Sequence, residues 1–269
     1  MANEPCAKLN IAVVLYNKAF SDIASLDVFR SLCRSGAAKL FVFDNSTDEQ
    51  IKAHNKASAA LDLAAYTDNG GNIGLSKSYN KMLSMAEDRD SWIMLSDDDT
   101  LFSEEYMENV LAAINSGDGS EVLTGIVKAG SEPFSPKRSL GLLSRTQEFI
   151  EEPGRYKNIY AINSGLVVKR SVFDKTGKYD ESLFLDMVDH YFMHRLMECG
   201  ICDITVLGGD ISQSFSGNST SYSASMKRFK IFRRDYAAYC RLCGLNIIYR
   251  WLVPAKRYAG IVLRAAKHK

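Results

Sequence analysis

Trp92-Ile93-Met94-Leu95-Ser96-Asp97-Asp98-Asp99 carries the strongest structural signal in the chain. Its apolar run, bounded by polar residues, predicts a buried strand. Three carboxylates at the strand's end crowd like charges, which is costly unless something positive neutralises them. Hard oxygen ligands suit Mg²⁺ or Mn²⁺, ions that commonly also hold substrate phosphates. The segment therefore predicts a metal–diphosphate site at the C-terminal end of a strand. A plainer reading is a solvated acidic turn leading into the next helix, since Ser103-Glu104-Glu105 has the pattern of a helix start.

The flanking sequence alternates strand and helix. Leu9 to Tyr16 and Lys39 to Phe43 read as strands; Asp22 to Cys33 and Ser76 to Glu87 read as helices. This rhythm predicts an α/β fold with a mostly parallel sheet, in which ligands bind beyond the carboxyl ends of the strands. Asn17, Asp44 and Asp97 each follow a strand and should meet at one edge. Further on, Glu104 to Asn115 reads as a helix, Val122 to Val127 as a strand, and residues 129–158 as loops and edge strands. Tyr160 to Lys169 has strand character and Ser171 to Thr176 reads as a short helix. Asp186 to Glu198 reads as a helix, Ile201 to Leu207 as a strand, and residues 208–225 as a polar loop able to close over a ligand.

Charge is unevenly distributed. The 269 residues carry a net charge of +1, but residues 226–269 hold twelve Lys/Arg and one acid, Asp235, or +11. The remainder holds 21 Lys/Arg and 31 Asp/Glu, or −10. The chain reads as an acidic body, residues 1–225, with a basic helical tail, residues 226–269. No leader pattern opens it, and no apolar run approaches the ~18–20 residues that cross a bilayer. These features predict a cytoplasmic protein. The pairs Cys199/Cys202 and Cys240/Cys243 are too widely separated for a zinc ribbon and read as free thiols packed like small hydrophobes.

Two further constellations carry chemistry. In Asp68 to Asn80, glycines allow close backbone approach to a ligand, and the helix opening near Ser76 presents free N–H groups; an ordinary capped loop reads equally simply. In Asp186-Met187-Val188-Asp189-His190, Asp186 suits a helix N-cap, and Asp189 in the first turn suits a general base. His190 and His194, spaced four apart, are able to chelate a metal beside Asp186 or simply to pack.

Taken in order, these pieces resemble family 2 inverting glycosyltransferases of the GT-A fold, close to the rhamnosyltransferase-like branch. The opening strand Val13 to Asn17, Val42 to Asp48, the loop Asn72-Ile73-Gly74 to Asn80, Ser96 to Thr100, Ile162 to Leu166 and Phe184 to Asp189 with Arg195 match its motifs. The resemblance implies a nucleotide-sugar half, about residues 1–100, and an acceptor half, 101–225. It implies donor contacts from Asn17, Asp44, Asn72, Gly74, Lys77, Asn80, Asp97 and Asp98. Asp97 and Asp99 would hold Mn²⁺ or Mg²⁺, Ser164, Gly165 and Asp186 would face the acceptor, and Asp189 would be the base. The family's Glu before the base is Val188 here, and its late metal-binding His is missing, leaving Asp210 or Gln213 to complete the shell. The implied partners are a UDP- or dTDP-sugar donor and a glycan acceptor, commonly lipid-linked, in bacterial surface polysaccharide assembly.

The tail interleaves Lys/Arg with aromatic and aliphatic residues. It suits an anionic membrane surface at the inner face, or helices packed on the acidic body; no nucleic-acid reader motif accompanies the charge. Rival classes are a non-catalytic nucleotide- or glycan-binding module and a metal-dependent hydrolase using Asp186, His190 and His194.

Overall fold

The computed structural model describes residues 8–62, 64–138, 148–214 and 221–267. Strand β1 (Leu9–Leu15) lies parallel between β2 (Ala38–Asp44) and β4 (Trp92–Asp97), and β3 (Ala65–Asp68) adds to the outer edge of β2. The sheet continues through β9 (Val167–Lys169), β6 (Val122–Ala129), β10 (Asp203–Gln213) and β5 (Thr100–Phe102). Strands β7 (Glu132–Ser135) and β8 (Gly154–Lys157) pair on β6 and β10. One sheet thus runs through both the expected halves.

Strand β1 is buried on both faces, which explains its nearly unbroken apolar sequence. Leu9, Ile11, Val13 and Leu15 enter one core with Phe29 of α1 (Leu26–Arg34) and Tyr106 of α4 (Glu104–Ser116). Ala12 enters the other, with Tyr79 of α3 (Leu75–Met85) and Phe192 of α6 (Val188–Glu198). The chain moves outward from β1 to β3, then returns to place β4 on the other side of β1. That reversal opens a crevice beyond the strand ends, where open α/β sheets bind ligands.

Several elements differ from expectation. Helix α2 (Glu49–Leu61) gives little hydrophobic signal because its buried residues are Lys52, Asn55 and Ala59. Helix α1 begins at Leu26, after a separate tight turn at Phe20–Asp22. The expected strand from Tyr160 shortens to β9, because the chain turns at Gly165 with φ 82°. Residues 208–213 are not loop but the end of β10, which bulges between Leu207 and Asp210. At that bulge Gly209 has φ 99°, and a Cβ there would lie 2.5 Å from the Tyr106 nitrogen. Of the expected closing loop, residues 215–220 lie outside the described residues.

The basic segment divides into two helices. Helix α7 (Tyr222–Leu242) buries Phe229, Phe232, Asp235, Tyr236 and Tyr239 in the core shared with α6. Helix α8 (Ile247–Lys267), which follows α5 (Val172–Thr176), α6 and α7 in the chain, lies against α7. Among the described residues, no helix is long and apolar enough to cross a membrane.

Candidate active site

The ends of β1, β2 and β4 open into a cleft of about 730 Å³, with Asp97, Asp98, Asp99, Asp189 and Gln213 on its wall. Alternation along β10 turns Ile211 and Gln213 inward and leaves Asp210 and Ser212 exposed. Pairing with β5 then sets Gln213 opposite Thr100, one residue beyond Asp99. The Gln213 amide nitrogen donates to Asp97 Oδ2 at 2.9 Å and to Asp99 Oδ1 at 3.2 Å. Its Oε1 is buried with no hydrogen-bond partner among the described residues. Asp210 points elsewhere, toward Lys128 at 3.1 Å. Asp210 and Gln213 are three residues apart and so fall on opposite faces of the strand; only Gln213 is placed with the aspartate pair.

Asp97 keeps a small exposure into the cleft and is otherwise surrounded by protein. Burial, reinforced by the neighbouring Asp99, pushes its carboxyl up to about 7. Asp98 is also raised by burial, against the pull of Lys18, whose ammonium lies 3.0 Å away. Asp98 is paired with that lysine, while Asp97 and Asp99, bridged by the Gln213 amide, are hard oxygen donors suited to Mn²⁺ or Mg²⁺; a flip of the Gln213 amide would turn its oxygen toward them as a third. A cation held by so few protein groups would keep positions open for further oxygen ligands.

The donor-side expectations divide. Asn72 and Gly74 line the cleft. Gly74 has φ 88°, and a Cβ there would fall 2.7 Å from the Phe184 carbonyl oxygen, so this position admits glycine alone. Asn17 staples two strand ends: its N–H donates to Ser46 Oγ, and its Oδ1 accepts from the Thr47 N–H. Asp44 is fully buried, its oxygens accepting from the Ser46 N–H, Asn55 Nδ2 and the Tyr66 hydroxyl. It braces the end of β2, and the next residue, Asn45, is the one on the cleft wall. Asn80 clamps the Tyr179 backbone through Nδ2 and Oδ1, at 2.9 Å each. Lys77 is exposed on α3 and lines no described cavity. Tyr16, half exposed on the cleft wall, was marked in the sequence only as the last residue of the opening strand.

On the acceptor side, Ser164 is fully buried; its Oγ accepts from the Asp97 N–H and lies 2.7 Å from Thr100 Oγ1. Gly165 pairs with Leu95 through its N–H. Both residues shape the turn that carries the aspartates and line no described cavity. Asp186 is not the N-cap of α6: Met187, with φ 65°, holds that position. The Asp186 carboxylate instead forms a bidentate pair with Arg228. Asp189 occupies the first turn of α6, where helix N–H groups favour a carboxylate, and its Oδ1 accepts from the His190 N–H at 2.7 Å.

Asp189 also borders a second chamber of about 370 Å³, lined by Lys137, Tyr160, Asp186, His190 and Arg257 among others. Burial holds the His190 imidazole below its ordinary value. The metal arrangement expected of a hydrolase does not assemble, because Asp186 is taken by Arg228 and His194 pairs with Glu198 at 3.3 Å. Among the described residues, no group of three or more His, Cys, Asp or Glu is placed to hold a metal, the two Cys pairs included. Lys227 of α7 adds positive charge to the cleft rim, where Arg228 is paired with Asp186. The sequence reading of this segment as helices packed on the acidic body agrees with its buried residues, among them Asp235.

The sequence profile described as glycosyl transferase family 2 matches residues 12–177, well over half of the chain. The chain belongs to glycosyl transferase family 2. Among solved structures, GalNAc-T7 with UDP, GalNAc and Mn²⁺ matches with a TM-score of 0.61 at 13% identity, over 91% of this chain and 52% of that one. A mannosyltransferase from Pyrobaculum calidifontis, in complex with GDP-Man and Mn²⁺, matches with a TM-score of 0.59 at 14% identity, over 97% and 73%. S. aureus TarS residues 1–349 match with a TM-score of 0.54 at 16% identity, over 93% and 70%. At these identities the likeness is one of fold, and the fold of this family 2 chain is GT-A. The chain spans about half the length of the GalNAc-T7 structure. No curated protein matches the sequence.

Proposed function

We propose that this family 2 protein is a metal-dependent inverting glycosyltransferase. It moves a sugar from a nucleoside diphosphate donor, UDP-linked first and dTDP-rhamnose second, to a hydroxyl of a glycan acceptor. The reading rests on one observation: Asp189 lines both the cleft that holds Asp97 and Asp99 and the chamber behind it. A base at that junction reaches a hydroxyl presented from the chamber while the donor's anomeric carbon sits in the cleft.

The donor diphosphate lies toward Asp97, Asp99 and Gln213, with its nucleoside along Tyr16, Asn45 and Asn72. Asp97 and Asp99, with Gln213, would hold the cation, which would supply positive charge to offset that developing on the leaving diphosphate. Lys227 adds to that field from the rim. Asp189 takes the proton of the acceptor hydroxyl, whose oxygen attacks the anomeric carbon on the face opposite the diphosphate. The carbon–diphosphate bond breaks as the glycosidic bond forms, and the configuration inverts. A single displacement needs no nucleophilic carboxylate of the kind retaining glycosidases use.

Helix α8 extends the reading to location. Ile248, Trp251, Leu252, Val262 and Leu263 are exposed along one face, with Lys256 beside them. An apolar stripe flanked by positive charge suits the headgroup region of an anionic membrane. This supports peripheral attachment at the inner face through α8, near a lipid-linked acceptor in surface polysaccharide assembly.

A thermal-shift series tests the donor reading, since ligands that bind the native state raise the melting temperature. Nucleoside diphosphates and their sugars are compared with and without Mn²⁺. A shift that needs both nucleotide and metal, and is lost in D97A/D99A, is expected. No shift with any nucleotide would overturn the reading.

A further inference from the structure

The chamber behind Asp189 has an electrostatic character that sugar hydroxyls alone do not require. Two cations reach it, Lys137 from the segment after β7 and Arg257 from α8. Neither has a hydrogen bond or ion pair to its side chain among the described residues. Lys137 is half-buried, and burial pulls its ammonium below the ordinary lysine value although Asp189 acts to raise it. Leaving a desolvated ammonium without a counter-charge is costly. Its backbone is nevertheless held firmly, with reciprocal N–H···O bonds to Tyr160 at 2.9 and 2.8 Å. Arg257 stacks over the Phe232 ring, its guanidinium carbon 4.0 Å from the centroid, which orients the planar fork at the chamber wall.

The acids nearby offset only part of this charge: Asp189 acts on Lys137 and Asp186 on Arg257, without contact to either among the described residues. Asp186 is neutralised by its bidentate pair with Arg228. Asp189 stands at the opening between the chamber and the cleft, and burial keeps His190 toward its neutral form. The chamber wall therefore presents two unpaired cations against one carboxylate at its gate.

We propose that this chamber is an acceptor subsite for an anionic group, a phosphate or a carboxylate, held by Lys137 and Arg257 beyond the hydroxyl that Asp189 deprotonates. The proposal rests on the transferase reading for the direction of the acceptor. Arg257 adds a geometric preference for bidentate oxyanions, and Lys137 supplies a point charge. The wall bearing Arg257 is the inward side of α8, whose outward side carries the apolar stripe. A phosphate group of an acceptor anchored in a membrane would approach along that helix, and a carboxylate of an acidic sugar would enter with the glycan itself.

The test uses the full chain, with the cleft saturated by Mn²⁺ and whichever nucleoside diphosphate gives the largest metal-dependent shift. Glucose 1-phosphate, glucuronic acid and methyl glucoside are titrated by calorimetry or ligand-observed NMR. Wild type should bind at least one anionic probe about tenfold more tightly than methyl glucoside, and K137M and R257M should each remove most of that advantage. K137R should restore it. Preference for glucose 1-phosphate identifies a phosphate source, and preference for glucuronic acid an acidic sugar. Equal binding of charged and neutral probes, no binding of either anion, or variants indistinguishable from wild type would overturn the subsite. Nucleotide affinity on the same samples reports separately on the fold and on the transferase reading. If no nucleotide binds, the titration is run without one, and the anion preference stands or falls alone.

Discussion

Asp235 Oδ2, on α7, accepts the backbone N–H of Asp186 at 2.9 Å, and the same oxygen takes the Leu185 N–H at 2.8 Å. Asp235 is fully buried, and its other oxygen pairs with Arg234. The segment leading to Asp189 is thus anchored by a carboxylate from the basic part of the chain. Asp235→Ala leaves two partly buried N–H groups without this acceptor and should cost roughly 1–3 kcal/mol, read by urea unfolding. An effect within experimental error would mean that α7 does not fasten this segment.

Asp189→Asn keeps the shape of the junction between cleft and chamber but removes the proton acceptor. Transfer should fall by about 10²–10⁴-fold, while the Mn²⁺-dependent nucleotide shift persists. Parallel loss of both would assign Asp189 to donor binding instead.

The raised Asp97 carboxyl makes a pH prediction with a definite sign. Its value moves from 3.8 to about 7 on folding. Between those values the folded state holds the extra proton, so this group's contribution to stability declines as pH rises through the window and is level above it. Asp97→Asn removes the titration. Without metal, the stability difference between D97N and wild type should grow from pH 4 to pH 7; with Mn²⁺ present the trend should shrink, because a cation favours the ionised carboxylate. A difference that does not vary with pH would contradict the assignment.

Trp251 is exposed on α8, whereas the other tryptophan, Trp92, is buried in β4. Fluorescence therefore reports on α8 against a constant background. Vesicles containing anionic lipid should shift the emission to the blue, with less effect from neutral vesicles and a weaker response in L252S/L263S. Identical spectra with and without anionic vesicles would argue against membrane attachment through this face.

The central strands were legible because both of their faces are apolar, and the aspartate turn because charge follows β4 so abruptly. Helix α2 escaped because polar residues, Lys52 and Asn55, fill its buried side. The site was legible in its acids but not in their partners. Asp44 resembles a ligand-facing residue, yet Asn55 and Tyr66, eleven and 22 positions later, occupy its carboxylate. The choice between Asp210 and Gln213 was open only until the period of β10 was known. The role of α7 depends on Asp235 meeting a segment 49 and 50 residues earlier, which no local pattern encodes.

The contact at Gly74 bears on modularity. Leu75 donates its N–H to the Phe184 carbonyl at 2.7 Å, and Gly74 leaves no room for even a methyl group against that residue. The loop at Gly74 and the strap leading to Asp189 share one seam. Exchanging either side for that of a relative, as a cassette, would break the seam unless the opposite side were transplanted with it. Under the proposed roles, donor and acceptor preferences are coupled through this joint, and a chimera cut at residue 100 would have to rebuild it at positions 74 and 184 before either preference could be redirected.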